Sequence, residues 1–366
     1  MTDFLNVPAA VVSAQIEAVL RAWGMPEDKI GTTAEIMTET DLRGVDSHGI
    51  SMLLLYRQIY ETGQLKLKAE PRIMRQTPAT ALIDGGAGLG HPVSAMAMEL
   101  AIDKAKAMGI AAVSVFNSHH FGAAGIYSHM AARANLIGMA VSTTRFVSVV
   151  PTRAAEAVLG TNVISLAASS GDALPIILDI ATSVVASNKV KIYALADKSL
   201  PAGWVVDARG EVVCESGLAF QRLSSNGEGG LTPIGGAGTT LGGHKGYGLG
   251  LFAQILAGSL SGGSFSPTRN KTQKPGDPDN IGHFFMAIDP QAFRPLDEFQ
   301  RDVEDVVATL RATRPIKPDE PVLIPGDPEW LTREQRLVDG IPMSAGLLEK
   351  IREIALAAGA PFLLGA

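Results

Sequence analysis

Between Pro92 and Ala134 the chain changes period in a way that admits few architectures. Apolar residues at Val93, Met96, Ala97, Leu100 and Ala101 follow helical spacing, and Gly109 stops the run. Ile110-Ala-Ala-Val-Ser-Val-Phe116 is then an apolar run of strand length. After the loop Asn117-Ser-His-His-Phe-Gly122, residues 123–134 are rich in good helix formers. Helix, strand, loop and helix in direct succession need a sheet with helices packed on it, so the class is α/β or α+β.

The flanking sequence agrees. Helices are predicted at Ala10–Trp23, Thr32–Leu42 and about Ser51–Glu61, and strands at Ala79–Asp84, Leu136–Val141, Ile176–Ile180 and His283–Ile288. Further helices are expected at Ser183–Ala196, at His244–Ser261 as a buried helix, around Phe299, Val303, Val306, Val307 and Leu310 as an amphipathic one, and at Ser344–Ala358. Residues 198–243 are turn-rich, and the prolines of Pro315–Trp330 suggest an extended excursion. This distribution predicts a mainly helical domain from residues 1–75 plus 296–366 around a central sheet domain of residues 76–295.

Composition narrows the function. With 366 residues, 46% hydrophobic and 19% charged, the chain can bury a substantial core. A net charge of −6 argues against general binding to nucleic acid or anionic membranes. Lys66 and Lys68, and Lys189 and Lys191, read as solvated faces. Cys214 is the only cysteine, which excludes an intramolecular disulfide and a thiolate metal cage within the chain. The start Met-Thr-Asp-Phe-Leu-Asn lacks a secretory pattern, and no apolar stretch of about 18 residues occurs. A cytoplasmic soluble protein is expected. Neither a solenoid repeat nor a low-complexity tract is found.

Three segments carry chemistry. In the first, the strand-to-helix loop with His119 and His120 leaves helix N-terminal amides that favour an anion such as phosphate, beside imidazoles able to move protons. One of the two rings is expected to serve only structure. The second is Asp41-Leu-Arg-Gly-Val-Asp-Ser-His-Gly49, where a helix breaks near Gly44 and Ser47 or Asp46 can orient His48; the alternative is that Ser47 or Asp46 merely caps the next helix. The third is Gly242-Gly-His-Lys-Gly-Tyr-Gly248, in which glycines permit close backbone approach and Lys245 can meet a phosphate or carboxylate; close helix packing with a solvated lysine is the alternative. A metal-dependent hydrolase built on His119, His120 and His129 is a weaker rival, for want of a recognised ligand spacing. No Gly-x-Gly-x-x-Gly, Walker A, His-Glu-x-x-His or Gly-x-Ser-x-Gly pattern occurs; His91 stands where Gly86-Ala-Gly88 would need its third glycine.

Taken together, these segments resemble the type 2 malate/L-lactate dehydrogenase family, which includes sulfolactate and ureidoglycolate dehydrogenases and a piperideine-carboxylate reductase. Leu159-Gly-Thr-Asn162, Leu178-Asp-Ile-Ala-Thr-Ser183, Gly203-Trp-Val-Val-Asp207, Leu323-Ile-Pro-Gly-Asp327 and Gly340-Ile-Pro342 extend the resemblance from about residue 40 to residue 345. It implies a non-Rossmann dinucleotide-binding fold occupying the 76–295 domain, and a homodimer with active sites near the subunit interface. It also implies NAD(P)-dependent interconversion of a 2-hydroxy acid and a 2-oxo acid, or reduction of a cyclic 2-imino acid. A non-catalytic ligand-binding relative is the remaining alternative; both motif histidines and Lys245 speak against it. The catalytic group carried over is His48 with Ser47, together with His120. The segments that match cofactor contacts are His120, Phe121, Gly122, Ala123 and Ala124; Thr144; Asp179, Ile180 and Ala181; Lys245 and Gly246; and Pro325, Gly326 and Asp327. NAD and NADP are equally compatible with these residues.

One position departs from the pattern. Many members read Ser-His-Gly-x-x-Arg, and that arginine grips the substrate carboxylate; this chain has Met52 there. Methionine cannot replace a bidentate fork. Arg145, in Ser142-Thr-Thr-Arg145, is the substitute expected to bind the carboxylate; a structural ion pair is its alternative.

Overall fold

The computed structural model describes residues 4–171, 173–224 and 228–365. β1 (Phe4–Val7) leads into α1 (Ala9–Ala22), α2 (Glu27–Leu42) and α3 (Leu53–Glu61). Pro8 and Pro26 stand immediately before α1 and α2, where a missing N–H costs no helical bond. Next come β2 (Arg72–Gln76), β3 (Thr80–Gly88), α4 (Gly90–Met108), β4 (Ile110–Ser118), α5 (Ala124–Arg133) and β5 (Ile137–Ser142). They are followed by β6 (Ile164–Ser170), β7 (Ala173–Ile180), α6 (Ser187–Leu195), β8 (Val205–Val206), α7 (Ser216–Ser224) and β9 (Gly230–Leu231). The chain then runs through α8 (Gly243–Ala253), α9 (Ser266–Thr272), β10 (Ile281–Ile288), α10 (Leu296–Arg311), α11 (Asp327–Asp339), β11 (Ile341–Ser344) and α12 (Ala345–Ala358).

The central sheet has seven strands in the order β2-β3-β4-β10-β5-β6-β7. Only β3 and β4 run parallel, joined through α4; every other pair is antiparallel. The result is the mixed sheet with many helices that the alternating pattern predicts. Register decides where function can assemble. Gly88 of β3 lies beside Ser118 of β4, Ser118 opposite Ile281 of β10, and His283 opposite Ser142 of β5. Val141 of β5 lies opposite Ile164 of β6, and Ile164 opposite Ile180 of β7. The histidine loop after β4, the Arg145 loop after β5, Asp279 before β10 and Asp179–Ala181 at the end of β7 therefore share one end of the sheet.

Two apolar clusters hold this arrangement. Val12, Ile16, Leu20, Met37, Leu53, Tyr56, Ile351 and Ile354 join α1, α2, α3 and α12, while Ile83, Met98, Val113, Val115 and Phe285 join the sheet to α4. Interior positions of this kind each contribute about 1.5–3 kcal/mol of burial. α6, β8, α7 and β9 share a smaller cluster around Val190, Leu200, Val205 and Leu231.

Several elements differ from the sequence reading. The expected buried helix at His244–Ser261 is α8 followed by a π-helical stretch, Gln254–Ser259, and it is not buried: Leu249, Phe252, Ile255 and Leu260 face outward, Phe252 with 64% of its surface exposed. The extended excursion from Pro315 ends early, since α11 begins at Asp327 behind a left-handed Gly326. The Ser183–Ala196 helix starts only at Ser187. β1, β2, β6, β11, α9 and the short elements α7, β8 and β9 have no counterpart in the sequence reading.

Candidate active site

Close approach fixes the histidine loop before any side chain acts. Gly90 N–H donates to the His120 carbonyl at 3.0 Å, and His119 N–H to the Gly88 carbonyl at 3.2 Å. A Cβ on Gly90 would lie 2.5 Å from the His119 carbonyl oxygen and 2.6 Å from Phe121 Cβ, so only glycine fits. The α2–α3 turn is built in the same way. A Cβ on Gly49 would sit inside the Asp41 carboxyl, which accepts the Ile50 N–H at 2.8 Å. Arg336 of α11 ties the turn down through the Asp41 carbonyl and the Asp46 carboxylate.

These two loops bring His48 and His120 together. Their ring centroids are 5.3 Å apart with the planes inclined by 36°. Ser47 Oγ lies 2.7 Å from His48 Nδ1, so Ser47 orients the ring and caps no helix. His120 Nδ1 lies 2.8 Å from Tyr56 Oη and 3.3 Å from the Gly122 N–H. Burial lowers the pKa of His48. Burial, followed by the neighbouring rings of His48, His91 and His283, lowers that of His120 further. Both imidazoles are therefore neutral near pH 7.

Behind them stand residues that the sequence motifs did not mark. His91 is fully buried with Nε2 3.5 Å from Tyr56 Oη, and its pKa is pushed down to about 3 by burial and by His283. His283 is stacked on Phe121 at 4.6 Å and held by Ser142 and Ser118 hydroxyls at 2.9 and 3.0 Å; burial brings its pKa to about 3. Tyr56 falls at the same helical spacing as Leu53 and Ile59 and so reads in sequence as one more core residue. His91 was visible only as the residue that spoils a glycine motif, and Asp279 gave no signal.

His119, the ring of the pair that the resemblance gives no catalytic role, is completely buried. Its Nε2 donates to the Gln64 carbonyl at 3.1 Å and its Nδ1 lies 3.6 Å from Asp279. Asp279 also takes the Gln273 amide at 3.1 Å and lies 3.5 Å from Arg145 Nε. Burial opposes its charge, but His119, Arg145 and Gln273 outweigh that and hold its pKa below the ordinary carboxylate value. Arg145 is thus paired, as its structural alternative requires, yet its Nη1 is buried without a hydrogen-bond partner. His119, His120 and His129 point to separate partners: His129 Nδ1 lies 2.9 Å from an Arg43 nitrogen and its ring packs edge-on to Trp330. Met52 packs against the cluster that joins α1, α2, α3 and α12.

Segments tied to a dinucleotide by resemblance are distributed along the same sheet end and its β7 edge. The amide expected to favour a phosphate at the α5 N-terminus is already occupied: Gly125 N–H donates to Asp179 Oδ2 at 2.6 Å. Phe121 is buried under Tyr127 at 5.0 Å, and Gly122 adopts φ 81° against His91. Ala123 and Ala124 start α5, and Thr144 Oγ1 bonds the Phe146 carbonyl at 3.1 Å. Ile180 pairs with Ile164, and Ala181 follows β7. Pro325 accepts the Ile177 N–H at 3.0 Å, Gly326 has φ 101°, and Asp327 pairs with Arg311 at 2.7 Å. A cleft of about 180 Å³ opens beside them, lined by Leu174, Ile176, Val307, Arg311 and Asp327. Gly246 supports the packing alternative, since a Cβ there would strike Ile234 backbone at 2.3 Å. Lys245 is exposed at the start of α8, and its ammonium has no partner among the described residues.

The chain matches the malate/L-lactate dehydrogenase family model over residues 7–352. A malate dehydrogenase of Pyrococcus horikoshii is 40% identical over 357 residues, covering 98% of this chain and 96% of that protein. The crystal structure of malate dehydrogenase from Entamoeba histolytica superposes with a TM-score of 0.91 at 30% identity, covering 98% and 99% of the two chains. The Δ1-piperideine-2-carboxylate reductase of Pseudomonas syringae pv. tomato superposes with a TM-score of 0.82 at 28% identity, over 96% and 100%. A sequence match across nearly the whole chain, joined to a sheet end that gathers the motif histidines, identifies the chain as a member of the malate/L-lactate dehydrogenase family.

Proposed function

We propose that the chain is an NAD(P)-dependent oxidoreductase interconverting a 2-hydroxy acid and its 2-oxo acid, through a non-Rossmann mode of dinucleotide binding. The observation that carries this is the facing pair His48 and His120, each with Nδ1 engaged behind it. A nicotinamide dinucleotide supplies the hydride, which no side chain can. The free ammonium of Lys245 fits an anionic group of such a cofactor, and the His120–Ala124 loop, Thr144, Asp179–Ala181 and Pro325–Asp327 are the segments that would hold the rest. His48 transfers the proton, oriented by Ser47, and His120 touches the reacting oxygen. Arg145 binds the substrate carboxylate through the unpartnered Nη1 while Asp279 holds the other side of the guanidinium.

Reduction of a cyclic 2-imino acid is the second reading, favoured by Met52 in place of the expected arginine and by the fold shared with the piperideine-2-carboxylate reductase. A panel of 2-oxo acids and cyclic imino acids, each run with NADH and NADPH, separates the two. Turnover of an imino acid alone selects the second reading, and binding of neither dinucleotide overturns both. With the accepted acid, Arg145→Ala raises KM about tenfold or more, as loss of a charged hydrogen bond worth about 1.5–3 kcal/mol requires; unchanged KM and kcat remove Arg145 from the site.

The soluble assembly is a homodimer in which the outward apolar residues of α8 and its π-helical extension are covered by a second copy. Exposed large apolar side chains clustered on one element are what such an interface leaves on an isolated chain.

A further inference from the structure

Tyr56 is completely buried, so its hydroxyl has to find partners inside the protein. Oη lies 2.8 Å from His120 Nδ1 and 3.5 Å from His91 Nε2. The same Nδ1 receives the Gly122 N–H at 3.3 Å. A backbone amide can only donate, which makes Nδ1 the unprotonated nitrogen of a neutral ring. Tyr56 therefore donates to it, and the ring proton lies on Nε2. That nitrogen has no hydrogen-bond partner among the described residues. Burial raises the tyrosine pKa well above its ordinary value, so the donor is present throughout the working range.

We propose that Tyr56 is a positioning residue that locks His120 in the Nε2–H tautomer, so that the ring offers a donor and not a lone pair to the atom at substrate C2. This rests on the oxidoreductase reading above. During oxidation the substrate hydroxyl gives its proton to the neutral His48 imidazole while negative charge grows on the oxygen, and reduction runs the same transfer in reverse. The His120 N–H stays on nitrogen throughout and holds the oxygen by a strengthening hydrogen bond. The two histidines thus divide the work, one moving the proton and one acting as a fixed dipole. A tautomer flip at His120 would turn its lone pair toward the growing charge and repel it.

The experiment compares the enzyme with Tyr56→Phe, which keeps the buried ring and removes only the hydroxyl. Long-range proton–nitrogen spectra of histidine-labelled apoprotein, with His120 assigned by its loss in His120→Gln, read the tautomer directly. The parent is expected to show His120 protonated on Nε2 alone, and Tyr56→Phe, in which Nδ1 keeps only the longer 3.3 Å Gly122 contact in place of the 2.8 Å tyrosine bond, to show a substantial Nδ1–H population. Its kcat should fall roughly 10- to 100-fold, the scale on which removing the hydrogen-bonded support of a working histidine acts. KM and dinucleotide affinity should stay within about threefold, which also shows that the variant folds. His120 protonated on Nδ1 in the parent overturns the proposal. So does a Tyr56→Phe protein whose tautomer or kcat is unchanged. Because the spectra need no substrate, failure of every acid in the panel sinks the activity reading without touching the tautomer result.

Discussion

His48, in the α2–α3 turn, and Asp41, seven residues earlier at the end of α2, respond to pH in opposite senses. A buried imidazole with a lowered pKa is neutral near pH 7, the form needed to take a proton from a hydroxy acid. In the oxidation direction kcat/KM should therefore be flat around neutrality and decline only below the ordinary imidazole range; a decline at or above that range removes His48 as the base. Asp41 is buried with its carboxyl pKa pushed up to about 8, first by burial and then by Asp46. A carboxyl whose folded pKa is raised holds its proton more tightly when folded. The resulting stability is full below the unfolded value of 3.8 and is lost as pH rises toward about 8. Asp41→Asn keeps an acceptor for Ile50 N–H, so its Tm should not show the decline that the parent shows between those pH values. Identical Tm profiles for the two proteins would refute this. Neither effect is legible in the sequence, where Asp41 is simply the first letter of a motif; its burial comes from Gly49, which lets the next turn close over it.

At the scale of elements, the α4–β4–α5 succession was readable because helical spacing, a glycine stop and a strand-length run occur in order. β6 is not, because Ile-Ser-Leu-Ala-Ala-Ser-Ser carries only two large apolar residues, Ile164 and Leu166, among small and polar ones. It is a strand because β5 and β7 flank it, and its Ser165 hydroxyl is satisfied by Ser128 and the Leu178 carbonyl. α11 was hidden by the proline-rich run before it. The histidine loop itself was legible, but its geometry depends on Gly90, which no motif named. Gly90→Ala should lower stability by about 1–3 kcal/mol, the usual cost of overpacking, and lower kcat as well, because the intruding methyl displaces His119 and His120. Denaturant unfolding and steady-state rates check both, and a neutral substitution would show that the loop yields without cost.

Across the whole molecule, the sequence pattern predicts a mixed sheet with many helices, which the fold has. What it could not establish is which apolar helix is covered by its own chain. His244–Ser261 reads as interior by composition, yet it lies outside, because β10 and the loop before α8 take only its glycine-lined side. Phe252→Asp should therefore leave the sheet folded and shift the protein from twice the chain mass to the chain mass in light scattering after size exclusion. A parent that is already monomeric, or a variant that stays dimeric, places the interface elsewhere.

The pairing of His48 with His120 has a consequence for heat. One ring is carried by the α2–α3 turn, packed among the N- and C-terminal helices, and the other by the end of the central sheet, so the facing pair exists only while the two are docked. If the helical ends open locally below the global transition, the rings would separate while the sheet remains folded. Warming the protein would then silence it before melting it, and cooling would restore activity without any refolding of the sheet.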